Sequence, residues 1–306
     1  MQGLVTKSTG SWYIVRDATG KRFECRIKGK FRMKGLVTTN PVAVGDTVDF
    51  ELEPDSEKAV ITRLHDRRNY IIRKSIALNK QAQVIAANLD QAYLVVTLAS
   101  PRTSLGFIDR FLVTAEAYDI PAALIFNKLD LFSEEGLEYL QAYKEIYTEI
   151  GYPCYEVSAI ERTNVDEVLQ TLRGKTTLLS GHSGVGKSSL MNAFSPGINQ
   201  RTKQVSEAHD KGMHTTTFAE MFELPDDIFI IDTPGIRELG IIDIKPEELG
   251  YYFPEMRERL NQCRFHNCRH INEPGCVIRE AVENGEISES RYDSYLSIFH
   301  GNDTRA

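Results

Sequence analysis

The chain has 306 residues, 42% of them hydrophobic and 26% charged, and its formal net charge is −7. This composition is ordinary for a globular protein of two or three domains, and it excludes a strongly basic protein that coats nucleic acid without specificity. No apolar run is long enough to cross a membrane, and residues 1–10 lack the apolar core of a signal peptide, so we expect a cytoplasmic protein.

The charge is distributed unevenly along the chain. Residues 1–75 contain 15 Lys or Arg and 9 Asp or Glu, whereas residues 76–306 contain 21 and 34. A basic module on an acidic body indicates that one end of the protein meets an anionic partner.

Residues 1–72 are predicted to form a small β-barrel, the first of three domains. Turn residues separate short runs in which apolar and polar side chains alternate, at residues 11–16, 22–27, 45–52 and 58–63. Four or five short strands in about 70 residues are typical of an oligonucleotide-binding (OB) barrel.

Basic residues beside aromatic ones in this region favour binding of single-stranded RNA, through phosphate contacts and base stacking. The alternative is that they form the solvated face of an ordinary small barrel, and the pattern alone does not decide between the two. The residues concerned are Lys28, Lys30, Phe31, Arg32, Lys34, Arg67, Arg68, Asn69 and Tyr70.

The pattern changes after residues 71–88, which we interpret as a connector. Residues 92–98 are almost continuously apolar, as in a parallel strand that is buried on both faces. A helical pattern at 106–118 and a second apolar strand at 122–126 come next. This alternation of strand and helix predicts a doubly wound α/β domain, which we assign to residues 73–245.

The second strand of this domain ends in Asn-Lys-Leu-Asp, which favours recognition of guanine. The carboxylate of Asp130 can accept two hydrogen bonds from the guanine edge, and the stem of Lys128 can pack on the base. Adenine would leave that carboxylate unpaired, so it would be strongly rejected. A Ser-Ala pair after a later strand can offer a backbone N–H to the guanine carbonyl. The predicted base-binding residues are Asn127, Lys128, Leu129, Asp130, Ser158 and Ala159.

Residues 176–191 contain the motif that most specifically indicates nucleotide binding. A buried strand at 177–180 leads into the pattern G-x-x-x-x-G-K-[ST], and a helix is predicted to open at Lys187. Backbone N–H groups of such a loop point at phosphate, the lysine adds charge for the outer phosphates, and the hydroxyl of Ser188 can bind Mg²⁺. A chance glycine-rich turn is disfavoured by the flanking strand and helix. The predicted loop contains Gly181, His182, Ser183, Gly184, Val185, Gly186, Lys187, Ser188 and Ser189.

Two later segments are predicted to contact the metal and the terminal phosphate. Residues 195–214 show no periodicity and lead into three threonines, of which Thr216 is predicted to bind Mg²⁺. A strand at 228–231 then runs into Asp-Thr-Pro-Gly. Asp232 is expected to hold the water shell of the Mg²⁺, and the N–H of Gly235 to contact the terminal phosphate.

The order of these elements differs from the usual one in guanine-nucleotide-binding domains, where the phosphate loop comes first. Here Asn-Lys-Leu-Asp and Ser-Ala precede the phosphate loop, but the cyclic order is kept. The sequence therefore predicts a circular permutation of a P-loop GTPase domain, in which the segment around Asp232 leads directly into the next module.

Residues 246–306 are predicted to form a helical zinc-binding domain. Three of the five cysteines lie within 14 residues, and three thiolates with one imidazole suit a closed, tetrahedral structural Zn²⁺ site. His266 is a competing ligand by distance, reactive free thiols are the alternative, and helices are predicted over 276–299. The predicted zinc ligands are Cys263, Cys268, His270 and Cys276.

The combination of a basic barrel, permuted nucleotide motifs and the spacing C-x₄-C-x-H-x₅-C resembles the RsgA (YjeQ) family over essentially the whole chain. The resemblance implies a monomeric GTPase that uses GTP, Mg²⁺ and one structural Zn²⁺, and that assists late maturation of the small ribosomal subunit. It also implies that the subunit and its ribosomal RNA stimulate hydrolysis of GTP to GDP, which times release. A GTPase assembly factor of the large subunit is the alternative.

One residue of the phosphate loop departs from the family pattern, and two residues outside the loop bear on catalysis. Residue 182 is His, where many members have Gln or Asn, and we expect no effect on phosphate binding. Ile236 occupies the place where many GTPases orient the attacking water with glutamine, so intrinsic hydrolysis should be slow. We hypothesise that His214 orients this water, with the alternative that it only braces its loop. The predicted catalytic residues are His214, Thr216 and Asp232.

Overall fold

The structure, a computed structural model, describes residues 1–27, 41–54, 56–74, 82–98, 100–196, 219–232 and 244–301. Within these residues an eleven-stranded sheet runs from an N-terminal barrel into an α/β region, and helices follow at the C-terminal end. None of the helices in these ranges is both long and apolar enough to cross a membrane.

Five strands close the barrel, which confirms the predicted OB-type architecture. Antiparallel pairs join β1 to β2, β2 to β3, β5 to β4 and β4 back to β1, and a parallel pair joins β3 to β5. The turn between β2 and β3 is held by the Asp17 carboxylate, which accepts hydrogen bonds from the backbone of Thr19 and Lys21 at 2.9 Å each. The strands are β1 (Gln2–Ser8), β2 (Tyr13–Asp17), β3 (Arg22–Ile27), β4 (Thr47–Leu52) and β5 (Ala59–Leu64).

The region that the sequence suggested was a connector contains a hairpin, so that interpretation was wrong. Strands β6 (Tyr70–Lys74) and β7 (Ala82–Ala87) pair antiparallel. Neither strand shows a clear alternation of apolar and polar residues, because Ile71 and Ala86 pack in one apolar cluster and Ile72 and Val84 in another. The amide of Asn69 bonds the backbone N–H and carbonyl of Leu89, and Val44 bridges to Ala86.

The α/β region has the doubly wound topology that the sequence predicted. Its strands lie in the order β10-β9-β8-β11-β13-β12, and all are parallel except β12 at the edge. The elements are β8 (Gln91–Val96), α1 (Leu105–Ala117), β9 (Ala122–Phe126), α2 (Glu134–Ile150), β10 (Cys154–Glu156), α3 (Val165–Leu172), β11 (Thr176–Ser180), α4 (Lys187–Phe194), β12 (Glu220–Leu224) and β13 (Ile228–Asp232).

The central strands are covered on both faces, which explains their continuous apolar sequence. All six residues of β8 are buried, and successive side chains enter two different apolar clusters. Leu94 and Val96 belong to one cluster, and Tyr93 and Val95 to the other. The loops that follow the parallel strands therefore gather at one edge of a rigid sheet.

The C-terminal helices pack against α1 through apolar residues and a buried charge network. The Arg291 guanidinium, which is 1% exposed, donates to Asp109 at 2.7 Å and to Glu255 at 2.7 Å. The hydroxyl of Tyr147 also donates to Asp109, at 2.9 Å. This network fixes the C-terminal helices on the α/β region. They are α5 (Pro254–Arg257), α6 (Val277–Glu283) and α7 (Glu289–Phe299).

Candidate nucleotide site and metal centre

The predicted phosphate loop lies between β11 and α4, as the motif requires. Gly181 has φ 145° and Gly186 has φ 97°, both in the region that favours glycine. A Cβ atom at Gly181 would lie 2.4 Å from the carbonyl oxygen of Val95, and one at Gly186 would lie 2.3 Å from Nδ2 of Asn127. Both glycines are therefore required by backbone conformation and by a close neighbour.

The lysine of the loop lies across its mouth. Nζ of Lys187 donates to the carbonyl oxygens of Gly181 and His182, the latter at 3.1 Å. Burial lowers the pKa of Lys187, and the Asp232 carboxylate opposes that shift. The ammonium of Lys187 is thus attracted by the carboxylate that is predicted for the metal site.

Two chain segments that are far apart in sequence meet at the predicted base site. The amide of Asn127, which is 1% exposed, donates to the carbonyl of Val185 at 2.9 Å and accepts from the N–H of Ala159 at 3.2 Å. The hydroxyl of Ser158 donates to the Asp130 carboxylate at 2.6 Å. One buried side chain therefore joins the phosphate loop to both base-binding segments.

The remaining base-site residues complete this arrangement. Lys128 has φ 70°, and its Nζ donates to the carbonyl of Ser100 at 2.7 Å. The N–H of Leu129 donates to the carbonyl of Val157 at 3.2 Å, which ties the Asn-Lys-Leu-Asp turn to the segment before Ser158. The hydrogen bond from Ser158 therefore holds the carboxylate of Asp130 beside the turn.

The structure places only part of the predicted metal and catalytic set. Ser188 lies in the first turn of α4, and Asp232 ends β13, where it pairs in register with Leu179 just before the phosphate loop. The predictions for His214, Thr216 and Gly235 lie outside the described residues.

The predicted loop residue His182 has a packing role that the sequence did not indicate. Its ring lies against Phe107 of α1, with the ring centroids 3.7 Å apart and the planes 32° from parallel. The other loop residues Ser183, Gly184 and Ser189 are exposed, and Val185 is buried. The unusual histidine therefore attaches the phosphate loop to α1.

Four predicted metal ligands come together in the C-terminal region. One ligand atom from each of Cys263, Cys268, His270 and Cys276 lies within 4.8 Å of the others. Burial, with the neighbouring thiols adding to it, raises the pKa of Cys268 to about 12, which a bound cation would reverse. His266 is exposed and does not belong to this group. The donor set suits a closed tetrahedral site for a thiophilic divalent ion.

A carboxylate that the sequence reasoning missed organises the chain between two of these ligands. Glu273 accepts hydrogen bonds from the N–H groups of Arg269 and Ile271 at 2.9 Å and from that of Asn272 at 3.1 Å. Partial burial would raise the pKa of Glu273, but these backbone donors lower it to about 2. The hydroxyl of Tyr292 adds a bond to the carbonyl of His270 at 2.7 Å.

Two of the predicted RNA-binding residues, Arg67 and Asn69, are buried and unavailable for RNA. The side chain of Arg67 is 4% exposed and donates to the buried Asp46 carboxylate at 2.6 Å, so that part of the prediction was wrong. Arg68 is exposed and pairs with Asp90 at 2.7 Å. A basic residue in a local pattern carries no sign of its burial, which here depends on a carboxylate 21 positions away. The predictions for Lys28, Lys30, Phe31, Arg32 and Lys34 lie outside the described residues.

The phosphate-loop motif, the Asn-Lys-Leu-Asp turn and the strand order define a P-loop GTPase domain in circularly permuted order. The profile of the RsgA GTPase family matches residues 64–242, and that of the RsgA N-terminal domain matches residues 2–61. The chain belongs to the RsgA GTPase family.

Relatives and solved structures agree with this assignment over the full length. A "small ribosomal subunit biogenesis GTPase RsgA" of Christiangramia forsetii is 54% identical over 98% of this chain and 96% of its own. The protein of the same name from Bacteroides fragilis is 53% identical over 97% and 96%. The crystal structure of YjeQ from Thermotoga maritima matches with a TM-score of 0.79 and 36% identity, covering 100% of this chain and 99% of its own. YloQ, described as a circularly permuted GTPase, matches with a TM-score of 0.74 and 33% identity, covering 98% and 94%.

Replacing Asp130 with Asn should change the base that the site accepts. Guanine offers two donors to the carboxylate, whereas an amide offers one acceptor and one donor and so matches xanthine. We expect the D130N variant to lose GDP affinity by about 100-fold or more and to prefer xanthosine diphosphate. Calorimetric titration of both nucleotides measures the change. Asp166→Asn, at an exposed carboxylate of α3, is the control and should bind GDP as the wild type does.

Proposed function

We propose that this protein is a Mg²⁺-dependent GTPase that binds the small ribosomal subunit and assists its late maturation, with hydrolysis timing release. The observation that carries the proposal is the bonded link from the phosphate loop to the guanine-selective turn, through Asn127. The basic end of the chain and the names of the relatives support the partner. A cytoplasmic monomer with units 1–72, 73–245 and 246–306 is part of the same proposal.

In this proposal the site holds GTP by its two ends. Asp130 accepts from the base edge, the Lys128 stem packs on the base, and Ala159 offers its backbone N–H. Lys187 leaves the two loop carbonyls to meet the outer phosphates, whose charge is greater than theirs. Contacts with the base and contacts with the phosphates therefore both contribute to the binding free energy.

Magnesium fits the oxygen donors that are assigned to it. Ser188 and Thr216 would ligate the ion through their hydroxyls, and Asp232 would hold its water shell. When bound, Mg²⁺ neutralises charge on the outer phosphates. The N–H of Gly235 would contact the terminal phosphate.

Hydrolysis requires a water positioned in line with the terminal phosphate, and the residue after the Asp-Thr-Pro-Gly sequence cannot position it. Ile236 has no hydrogen-bonding side chain. We assign this role to His214, whose ring nitrogen can accept a proton of the attacking water as the water oxygen bonds to the terminal phosphorus and the bond from that phosphorus to the bridging oxygen of GDP breaks. In this proposal His214 acts only when the small subunit is bound, which makes the reaction dependent on the partner.

For the C-terminal cluster we propose one structural Zn²⁺, held by three thiolates and one imidazole. The Cys263 and Cys276 sulfurs lie 3.6 and 3.4 Å from Nδ1 of His270, and none of the four side chains is exposed. A closed four-ligand set leaves no open coordination position for a substrate. The metal would hold the C-terminal helices in shape.

Steady-state GTP hydrolysis with small subunits, with large subunits and with neither tests the proposed partner. We expect strong stimulation by the small subunit alone. In the same assay His214→Ala should lower stimulated turnover by about 100-fold and leave GDP affinity unchanged, since a general base acts on the transition state. His300→Ala, an exposed histidine at the end of α7, should behave as the wild type.

Two results would contradict these assignments. Stimulation by the large subunit would keep the enzyme and replace the partner. Full stimulated turnover in the His214→Ala variant would leave the histidine with a bracing role only.

Replacing Glu273 with Gln should accelerate release of zinc from the C-terminal site. The amide loses one acceptor oxygen, so the backbone between His270 and Cys276 is held less firmly. We expect release to a chelator to be about tenfold faster, as for other residues that support metal ligands. Glu280→Gln, at an exposed position of α6, is the control.

The zinc-release measurement should be made at neutral pH. The Glu273 pKa of about 2 lies below its ordinary value of 4.5, so the carboxylate's contribution is complete above pH 4.5 and is lost as the pH falls toward 2. Equal release rates for the variant and the wild type would remove the supporting role of Glu273.

A further inference from the structure

The barrel joins the nucleotide-binding sheet at a single register position within the described residues. Lys7 of β1 lies opposite Glu220 of β12, the edge strand of the α/β sheet. Nζ of Lys7 is 3.2 Å from both carboxylate oxygens of Glu220, and both side chains are about one-third exposed. A cation of the barrel is therefore shared with a carboxylate of the GTPase domain.

The same carboxylate lies beside the proposed magnesium residue. In the pairing of β12 with β13, Glu220 is directly opposite Asp232. Opposed residues of an antiparallel pair point to the same face, with Cβ atoms about 4.5–5.5 Å apart, and like charges in this arrangement repel. Two carboxylates thus share one face of the sheet next to the phosphate loop, and Lys7 is bonded to one of them.

A second ion-pair cluster joins the two domains on the other face of the sheet. Glu223 lies three positions after Glu220, so its side chain points to the opposite face. It is 2.9 Å from Arg16 and 3.1 Å from Arg22, both from the barrel. This cluster also attaches the barrel to the α/β sheet. A variant that lacks Lys7 therefore keeps the junction between the two domains and differs mainly in charge.

We propose that Lys7 is a positioning residue for the magnesium site: it neutralises Glu220, so that this carboxylate does not compete with Asp232 for the metal. The proposal rests on the assignment of Asp232 under the proposed function. Lys7 acts through Glu220 and does not touch the nucleotide itself. The barrel thereby contributes a charge to the nucleotide site. A shift of the barrel on its partner would change the charge beside the magnesium site.

The Mg²⁺ dependence of GDP affinity, from calorimetric titration, and the Mg²⁺ dependence of GTP hydrolysis, both measured without ribosomal subunits, test this proposal. In Lys7→Met the freed carboxylate adds negative charge near the ion, so the Mg²⁺ concentration at the half-maximal effect should fall by about threefold or more in both measurements. The rate at saturating Mg²⁺ should also fall, because the ion is drawn away from Asp232. The KM for GTP should stay at the wild-type value, since the base contacts are remote.

A double variant separates charge from structure. Glu220→Gln removes the competing carboxylate, so the K7M/E220Q double variant should return to the wild-type Mg²⁺ dependence although the ion pair is gone. Lys7→Arg, which keeps the charge, should also match the wild type. Arg22→Met, which weakens the junction on the other face, should leave the Mg²⁺ dependence unchanged.

The inference is overturned if Lys7→Met keeps the wild-type Mg²⁺ dependence, or if the double variant is as impaired as the single one. Asp232→Asn in the same assay distinguishes the two levels of the argument. If this variant loses Mg²⁺-dependent turnover while Lys7→Met is normal, the inference alone fails. If Asp232→Asn is itself normal, the assignment of Asp232 fails, and the role of Lys7 with it.

Discussion

The proposed nucleotide site depends on one buried amide. Asn127 follows β9, and its side chain reaches the carbonyl of Val185 in the phosphate loop and the N–H of Ala159 in the second base-binding segment. These partners lie 58 and 32 positions away along the chain. The close approach of the amide to Gly186 leaves no room there for a side chain. The segments proposed for base recognition and for phosphate binding are therefore parts of one packed structure.

This dependence explains why the permuted order of motifs does not damage the site. The contacts that matter run between the ends of neighbouring parallel strands, and those neighbours stay the same wherever the chain begins. What permutation changes is the attachment of the other modules. The helices of the C-terminal region are held on α1 by Arg291 and Asp109. The barrel pairs with the outer edge of β12 through β1, so the barrel and the C-terminal helices both contact the GTPase domain directly.

Much of the fold could be predicted because local sequence carries it. Three features could each be predicted from a few neighbouring residues: the continuous apolar run of β8, the glycine pattern before Lys187 and the ligand spacing around Cys268. The β6–β7 hairpin could not be predicted in this way, because its buried residues pack in two different apolar clusters and so leave no alternating pattern. The predictions for Thr216, His214 and Gly235 remain predictions.

Charges were the least predictable feature of the sequence. Arg67 looked like a surface residue in a basic run, yet it is buried against Asp46. Glu273 and Lys7 gave no local signal, since their roles depend on backbone N–H groups and on a carboxylate that only the fold brings near. The sequence shows which residues are charged. The group that each charged side chain pairs with depends on tertiary contacts, and that group determines the role of the side chain.

The most direct test of the shared base and phosphate site is the affinity for GDP and for inorganic pyrophosphate in two variants. Asp130→Ala should weaken GDP binding and leave pyrophosphate binding at the wild-type level, because it touches the base alone. Asn127→Ala should weaken both ligands, because it also releases the phosphate loop. Wild-type pyrophosphate affinity in the Asn127→Ala variant would contradict the account and separate base recognition from the phosphate loop.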